Sequence, residues 1–178
     1  SSGEEIVLPD TVTTIGVNAF RNNTVDSIVL PNHMTYIRDY AFLDAGITGE
    51  LVLPEGLLEI GEGAFRYNDI NSINFPSTLT YLDYSILKNE EELLTRVDFC
   101  ALSLEISDRE LSMFVYGFVG QAFDDQATLP DEDVTITIVL PVDQELSTRL
   151  RTLFEAAFNR LDRTWTIVYI ESYPALAN

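Results

Sequence analysis

Positive charge is scarce in this sequence: ten Lys and Arg stand against 29 Asp and Glu, a formal net charge of −19 at pH 7. A chain this acidic is repelled by a nucleic-acid backbone and by an anionic membrane surface, so neither is expected as a partner. Cysteine is nearly absent, and Cys100 alone excludes an internal disulfide and any metal site built from several thiolates. Histidine is as rare: His33 falls just after Pro31, where a solvated turn residue is expected, and a Ser-His-Asp triad would rest on it entirely. No glycine-rich phosphate loop follows a strand pattern, since Gly61 and Gly63 belong to a repeated turn. There is no run of 18 apolar residues, and the opening SSGEE lacks the basic and apolar regions of a signal peptide, which predicts a soluble chain without membrane insertion. No catalytic constellation and no cofactor are expected from these residues.

What the sequence does have is a repeat. Ile28 to Phe42 (IVLPNHMTYIRDYAF) recurs upstream as Ile6 to Phe20 (IVLPDTVTTIGVNAF), and downstream as Leu51 to Phe65 (LVLPEGLLEIGEGAF) and Ile73 to Leu87 (INFPSTLTYLDYSIL). The starts Ile6, Ile28, Leu51 and Ile73 are 22, 23 and 22 residues apart. A fixed period of this length predicts a solenoid, because one unit cannot bury its apolar face alone and must stack on the next. Each unit opens with a short alternating strand ended by a proline, which withholds a backbone donor. A second short extended segment follows at Ile15, Ile37, Ile60 and Leu82, and then the small-large pairs Ala19-Phe20, Ala41-Phe42 and Ala64-Phe65. Val25 is read as closing the first unit, and Gly49 as the extra residue that lengthens the second. Stacked Phe20, Phe42 and Phe65 are expected to form an apolar spine. The pattern then decays: Ile86 and Leu87 replace the Ala-Phe pair. A shift of 24 residues aligns Ile73, Phe75, Leu82 and Leu87 with Val97, Phe99, Ile106 and Leu111, a degenerate fifth unit with Cys100 at the proline place.

Beyond Leu111 the period is lost. Met113 to Val119 is a dense apolar run, and Val134 to Leu140 (VTITIVL) reads as a strand ended by Pro141. Asp143 is an expected N-cap for a helix whose apolar face carries Leu146, Leu150, Leu153, Phe154, Ala157, Phe158 and Leu161. Trp165 to Ile170 makes a last strand. The fold class is therefore α/β, with about five repeats over residues 4–111 and a C-terminal strand-helix-strand capping unit over 112–178. No comparable cap precedes Ile6, so that N-terminal end is expected either to continue in a longer parent protein or to be open to self-association. Asp124, Asp125, Asp131, Glu132 and Asp133 offer hard oxygen ligands for calcium, but their spacing lacks the EF-hand pattern and they are read as a solvated loop with no metal.

The repeat also generates a surface stripe. Immediately before each Ile15-type position stand Thr14, Tyr36, Glu59 and Tyr81, and one residue earlier Thr13, Thr35, Leu58 and Thr80. With Tyr40, Tyr67 and Tyr84 they offer an aromatic, hydroxyl-rich face, which suits protein or sugar recognition because such rings bury area at low entropic cost and still hydrogen-bond. The candidate ligand-binding residues are Thr35, Tyr36, Tyr40, Glu59, Tyr67, Thr80 and Tyr81. A second stripe, Val7, Val29, Val52, Asn74 and Asp98, points away from the core.

The unit I-x-L-P-x-x-L/V/M-x-x-I-x-x-x-A-F, with its period near 22, resembles the BspA-type (Treponema pallidum type) leucine-rich repeat. The resemblance covers residues 4–87 well and 88–111 weakly; the cysteine often found after the Phe is absent, and the last two repeats are irregular. It implies a curved parallel-sheet solenoid in a secreted or surface-attached protein, commonly of host-associated bacteria or protozoa. It further implies a non-enzymatic, adhesin-like role that holds a host or matrix protein or a glycan through a repeat face. The competing expectation is a structural spacer within a longer surface protein, with no ligand of its own.

Overall fold

The structure, a computed structural model, describes residues 4–83, 85–88, 94–99, 107–123, 134–161 and 165–171. Among these, the repeat resolves into two kinds of strand. The longer ones are β1 (Glu4–Val7), β3 (Val25–Val29), β5 (Thr48–Val52), β7 (Asp69–Asn74) and β9 (Arg96–Asp98). Between them come two-residue strands: β2 (Thr14–Ile15), β4 (Tyr36–Ile37), β6 (Glu59–Ile60) and β8 (Tyr81–Leu82). Helix α1 (Asp108–Phe123), strand β10 (Val134–Leu140), helix α2 (Gln144–Phe158) and strand β11 (Trp165–Glu171) follow. Every pairing is parallel. β1 pairs with β3, the short strands form a sheet in the order β2-β4-β6-β8, and five long strands form a sheet in the order β11-β10-β9-β7-β5. The protein is thus mixed α/β, with parallel sheets and two helices.

The longer strands begin earlier than the alternation suggests. Val25 opens β3 rather than closing the preceding unit, and β7 reaches six residues. The reason is burial: Val25, Ile47 and Ile70 are 3%, 1% and 0% exposed, so an inward apolar side chain sits at or beside each strand start. Gly49 takes φ +75°, and the β5–β7 register shifts between Gly49 and Glu50, where the additional residue of the second unit was expected. Pro31 and Pro54 end their strands and accept a hydrogen bond from the N–H three residues on, Met34 at 3.0 Å and Leu57 at 3.2 Å. Those two followers are fully buried.

Between the short strand and the next long one, the chain enters the left-handed region at Asn18 and Asn22 in the first unit, at Tyr40, Asp44 and Gly46 in the second, and at Gly63 and Tyr67 in the third. The turns of adjacent units bond to one another: Phe20 N–H donates to Ala41 O at 2.7 Å, and Phe42 N–H to Ala64 O at 2.8 Å. This ladder holds the phenylalanines in register, stacked with ring centroids 5.0 Å apart for Phe20 and Phe42 and 5.2 Å for Phe42 and Phe65, the ring planes nearly parallel in both pairs. The expected Phe ladder is present.

The second half of the fifth unit departs from expectation. Leu111, aligned by period with Leu87, lies in α1 rather than in a repeat turn, and Met113 to Val119 is the middle of that helix. Ser107 and Glu110 start it with a capping box, the Glu110 carboxylate accepting from the Ser107 N–H at 3.2 Å and from its hydroxyl, while Ser107 Oγ accepts from Glu110 N–H at 3.3 Å. Phe114 meets Phe75 and Phe99 edge-on, both at 6.3 Å, and Phe154 of α2 contacts Phe99 at 5.7 Å. Asp143 caps α2 as expected, accepting from Leu146 N–H at 2.7 Å. The five-stranded sheet passes from β9 into β10 through Ile138 beside Val97, so one sheet spans the repeats and the C-terminal strands. Cys100, Ile106, Glu90 to Glu92 and the acidic loop 124–133 lie outside the described residues.

Candidate functional site

Strands β2, β4 and β6 each carry one inward and one outward residue. Ile15, Ile37 and Ile60 point inward and are 4%, 0% and 1% exposed. The outward partners Thr14, Tyr36, Glu59 and Tyr81 stand side by side in strict register. Three of the candidate residues, Tyr36, Glu59 and Tyr81, therefore share one row on one face. Thr35 and Thr80 flank them and are used by the backbone: the Thr35 hydroxyl donates to His33 O at 3.3 Å, and that of Thr80 to Leu58 O at 3.0 Å.

Within the row the side chains interact. The Arg38 guanidinium lies 4.5 Å from the Tyr36 ring centroid, and its Nη1 is 3.3 Å from Glu59 Oε2 on the next strand. Tyr81 is 53% exposed, and its hydroxyl donates to Asp83 Oδ2 at 3.2 Å. Asp83 is fixed in turn, Oδ1 accepting from the N–H and the hydroxyl of Ser85 at 2.7 and 2.6 Å.

Tyr40 and Tyr67 belong to the left-handed turns and not to the row. Tyr40 donates its hydroxyl to Glu62, and that bond, which favours the neutral phenol, raises the Tyr40 pKa above the usual range. A Cβ at residue 63 would lie 2.8 Å from the Tyr40 ring, so Gly63 leaves the room that the ring occupies. Tyr67 lies under the Arg66 guanidinium at 5.3 Å. Tyr84 is outside the described residues. The turn position of Tyr40 and Tyr67 was not visible in the repeat alignment, because a tyrosine at positive φ breaks the usual preference for glycine or asparagine. Arg38 and Asp83 were overlooked for a plainer reason: they fall two residues beyond the row position, and only the period-2 alternation of an extended segment returns them to its face.

On β1, β3 and β5 the valines of the second stripe face outward, while Asp98 of β9 pairs with Arg96 at 2.9 Å. Val7, Val29 and Val52 are 64%, 46% and 58% exposed, while Asn74 turns its amide onto the backbone of Leu53 at 2.8 Å. A third feature is an open cleft of about 540 Å³ beside α2, lined by Asp108, Glu145, Thr148, Arg149, Thr152 and Leu153. Its charged centre is the Arg149 to Asp108 ion pair at 2.8 Å. Among the described residues no three His, Cys, Asp or Glu converge to hold a metal ion, and no helix is long and apolar enough to cross a membrane.

The family profile of the BspA type Leucine rich repeat region matches residues 1–112, in six copies. No curated protein and no solved structure matches the chain. The proline-ended strands, the Ile and Phe ladders in register and that match over most of the length agree: the chain belongs to the BspA-type leucine-rich repeat proteins.

Proposed function

We propose that this protein is a non-enzymatic binding module of the cell surface or extracellular space, of bacterial type, which holds a host or matrix protein or a glycan through the outward face of β4, β6 and β8. The observation that carries this reading is the register-aligned row Tyr36, Glu59, Tyr81, where rings and a carboxylate stand on adjacent strands. Aromatic side chains with polar tips concentrate binding energy at protein interfaces. Family membership supports a surface setting and a role without catalysis. In this reading the parallel strands form a solenoid, and β10, α2 and β11 seal its C-terminal end.

The experiment is binding of the purified chain to an immobilised panel of extracellular-matrix proteins and glycans, beside a Tyr36→Ala, Tyr81→Ala double variant. Loss of at least about tenfold in affinity in the variant is expected for the cognate ligand, since anchor truncations commonly cost more than 1 kcal/mol. Binding unchanged by the double substitution sinks the tyrosine-row reading.

A second reading, a spacer segment that binds nothing itself, draws on one observation. Leu8, Val12 and Phe20 of the first unit are only partly buried, whereas Leu53, Leu57 and Phe65 at the equivalent places are 2%, 0% and 0% exposed. The first unit thus presents an apolar end on which a further repeat or a second copy can stack.

A further inference from the structure

We infer that the outward face of β1, β3 and β5 docks a basic amphipathic helix of a partner protein, which lies across the three strands with its apolar ridge on Val7, Val29 and Val52. This surface belongs to the long strands, and the inference does not depend on the row of β4, β6 and β8. The three valines are exposed, and Val7 stands in register with Val29. β5 lies next to β3, where Val25 N–H donates to Ala45 O at 2.7 Å and the Thr48 hydroxyl to Asp26 O at 3.4 Å. The repeat does not need an apolar residue at this place, since β7 carries Asn74 and β9 Asp98 in register with Val52. Threonine would serve the strand as well, yet three consecutive units carry valine. Neighbouring strands lie about 4.8 Å apart, so the row is about 10 Å long. Helical positions i, i+3 and i+7 lie on one face and rise about 4.5 and 10.5 Å, which meets three strands in succession. An extended segment crossing the strands advances about 6.7 Å between same-side residues, and its second residue falls between the second valine and the third.

Acids border the row on both sides. Two residues before the valines, Glu5 and Glu50 are exposed on the same face, about 6.7 Å away along the strand. Three residues after them, past the strand-ending prolines, Asp10 and Glu55 are exposed. Glu55 is ordered there, its Oε2 accepting from the Ser77 N–H and hydroxyl at 3.2 and 2.8 Å. No Lys or Arg occurs at 4–10, 25–32 or 48–55. Where the valines stop, the charge pattern changes as well: Arg96 of β9 stands in register with Ser72 and pairs with Asp98. An apolar strip with acids on both flanks complements a helix whose ridge of Leu or Ile is flanked by Lys and Arg, whose long stems lie along apolar surface while their charged ends reach outward. The formal charge of −19 steers such a helix toward the molecule from a distance. A second copy of this chain brings the same acids against these, and an anionic membrane is repelled.

The test titrates a labelled synthetic peptide, with leucine at i, i+3 and i+7 and lysine on both flanks of that ridge, into the purified chain at low and physiological ionic strength. A scrambled peptide of the same composition runs beside it. The ordered peptide is expected to bind with a gain of helical circular dichroism, and the scrambled one at least about tenfold more weakly. Val29→Thr, Val52→Thr keeps the β-branched shape of both strands and is expected to weaken binding at least about tenfold through the lost apolar contact. Glu5→Gln, Glu50→Gln leaves the valines untouched and is expected to weaken it about fivefold at low ionic strength and less at physiological. This second variant keeps the test decisive if the first disturbs the strands. A Glu145→Gln, Glu155→Gln variant, which removes two charges on α2, is expected to stay within about twofold of the parent. Equal binding of the scrambled peptide overturns the helical ridge, and equal weakening by the α2 pair and by Glu5→Gln, Glu50→Gln leaves only diffuse charge attraction and overturns the site. Binding that ignores Val29→Thr, Val52→Thr overturns it as well, as does no binding of the ordered peptide. A concentration-dependent dimer of the chain alone, dispersed by Val29→Thr, Val52→Thr in sedimentation, assigns the row to a second copy and overturns the cationic helix.

Discussion

Asn68 is 2% exposed, and both ends of its amide are spent on the backbone of neighbouring turns. Its Oδ1 accepts from Ala45 N–H and Ile47 N–H at 3.2 and 2.9 Å, and its Nδ2 donates to Phe42 O and Phe65 O at 2.8 and 2.9 Å. One side chain thereby ties the turn of one unit to the turn of the next. Removing it leaves four buried backbone groups without that partner, each worth roughly 1 to 3 kcal/mol when desolvated and unmade. Asn68→Ala is expected to destabilise the protein by at least about 2 kcal/mol after local relaxation, read from urea unfolding at unchanged slope. A loss well below that would show that the turns hold themselves. Alternation and period do not mark this residue, because it sits at a turn place where the units differ: Asn23, Ala45 and Asn68 follow one another.

At the scale of elements, α1 depends on how it starts. Ser107 bonds through its hydroxyl and its N–H to Glu110, and these two bonds hold the Glu110 carboxyl below the usual glutamate range. A carboxyl whose folded pKa is depressed adds stability that is fully present above its unfolded pKa and is lost as pH falls through the folded value. The stability difference between the parent and Glu110→Gln is therefore expected to narrow on acidification from neutral pH to below that range, with the parent losing its advantage. Parallel urea titrations followed by far-ultraviolet circular dichroism measure it. A gap independent of pH would mean that the carboxylate charge contributes nothing to the start of the helix. The S-x-x-E string from Ser107 to Glu110, followed by an apolar run, was a readable signal for α1. The repeat period, carried through the second half of the fifth unit, assigned Leu111 to a turn and concealed it.

For the whole molecule, the decisive contact is the ring cluster that joins the repeats to the C-terminal helices. Phe75 and Phe99 stack at 5.1 Å, Phe114 meets both edge-on, and Phe154 closes against Phe99. The shared sheet from β5 to β11 adds backbone continuity. Repeat proteins can unfold piecewise when neighbouring interfaces are weak, but this junction is built as a core. The single tryptophan, Trp165, stands in β11 against Phe158 at 5.1 Å, so its fluorescence reports the C-terminal end while circular dichroism reports the whole. Coincident denaturation curves from the two probes are expected for the parent chain. An earlier tryptophan transition would show that β10, α2 and β11 separate from the repeats before these melt.

Sequence alone determined what recurs. The 22 to 23 residue period set the inward Ile15, Ile37 and Ile60 ladder, the Phe20, Phe42 and Phe65 stack and the outward row Tyr36, Glu59 and Tyr81, because equivalent places in a repeat must lie side by side once units stack. It also set α2, whose apolar face and Asp143 cap are local properties. Tertiary structure decided what does not recur. It placed Tyr40 and Tyr67 in left-handed turns off the row, since their φ is imposed by the backbone ladder between units and not by their own preference. It set Arg38 on Tyr36 and Asp83 under the Tyr81 hydroxyl, contacts that depend on rotamers across neighbouring strands. And it ran one sheet through β9 into β10, a pairing between residues about 40 apart in the chain that no local pattern specifies, because only the packed Phe75, Phe99 and Phe114 core brings those strands together.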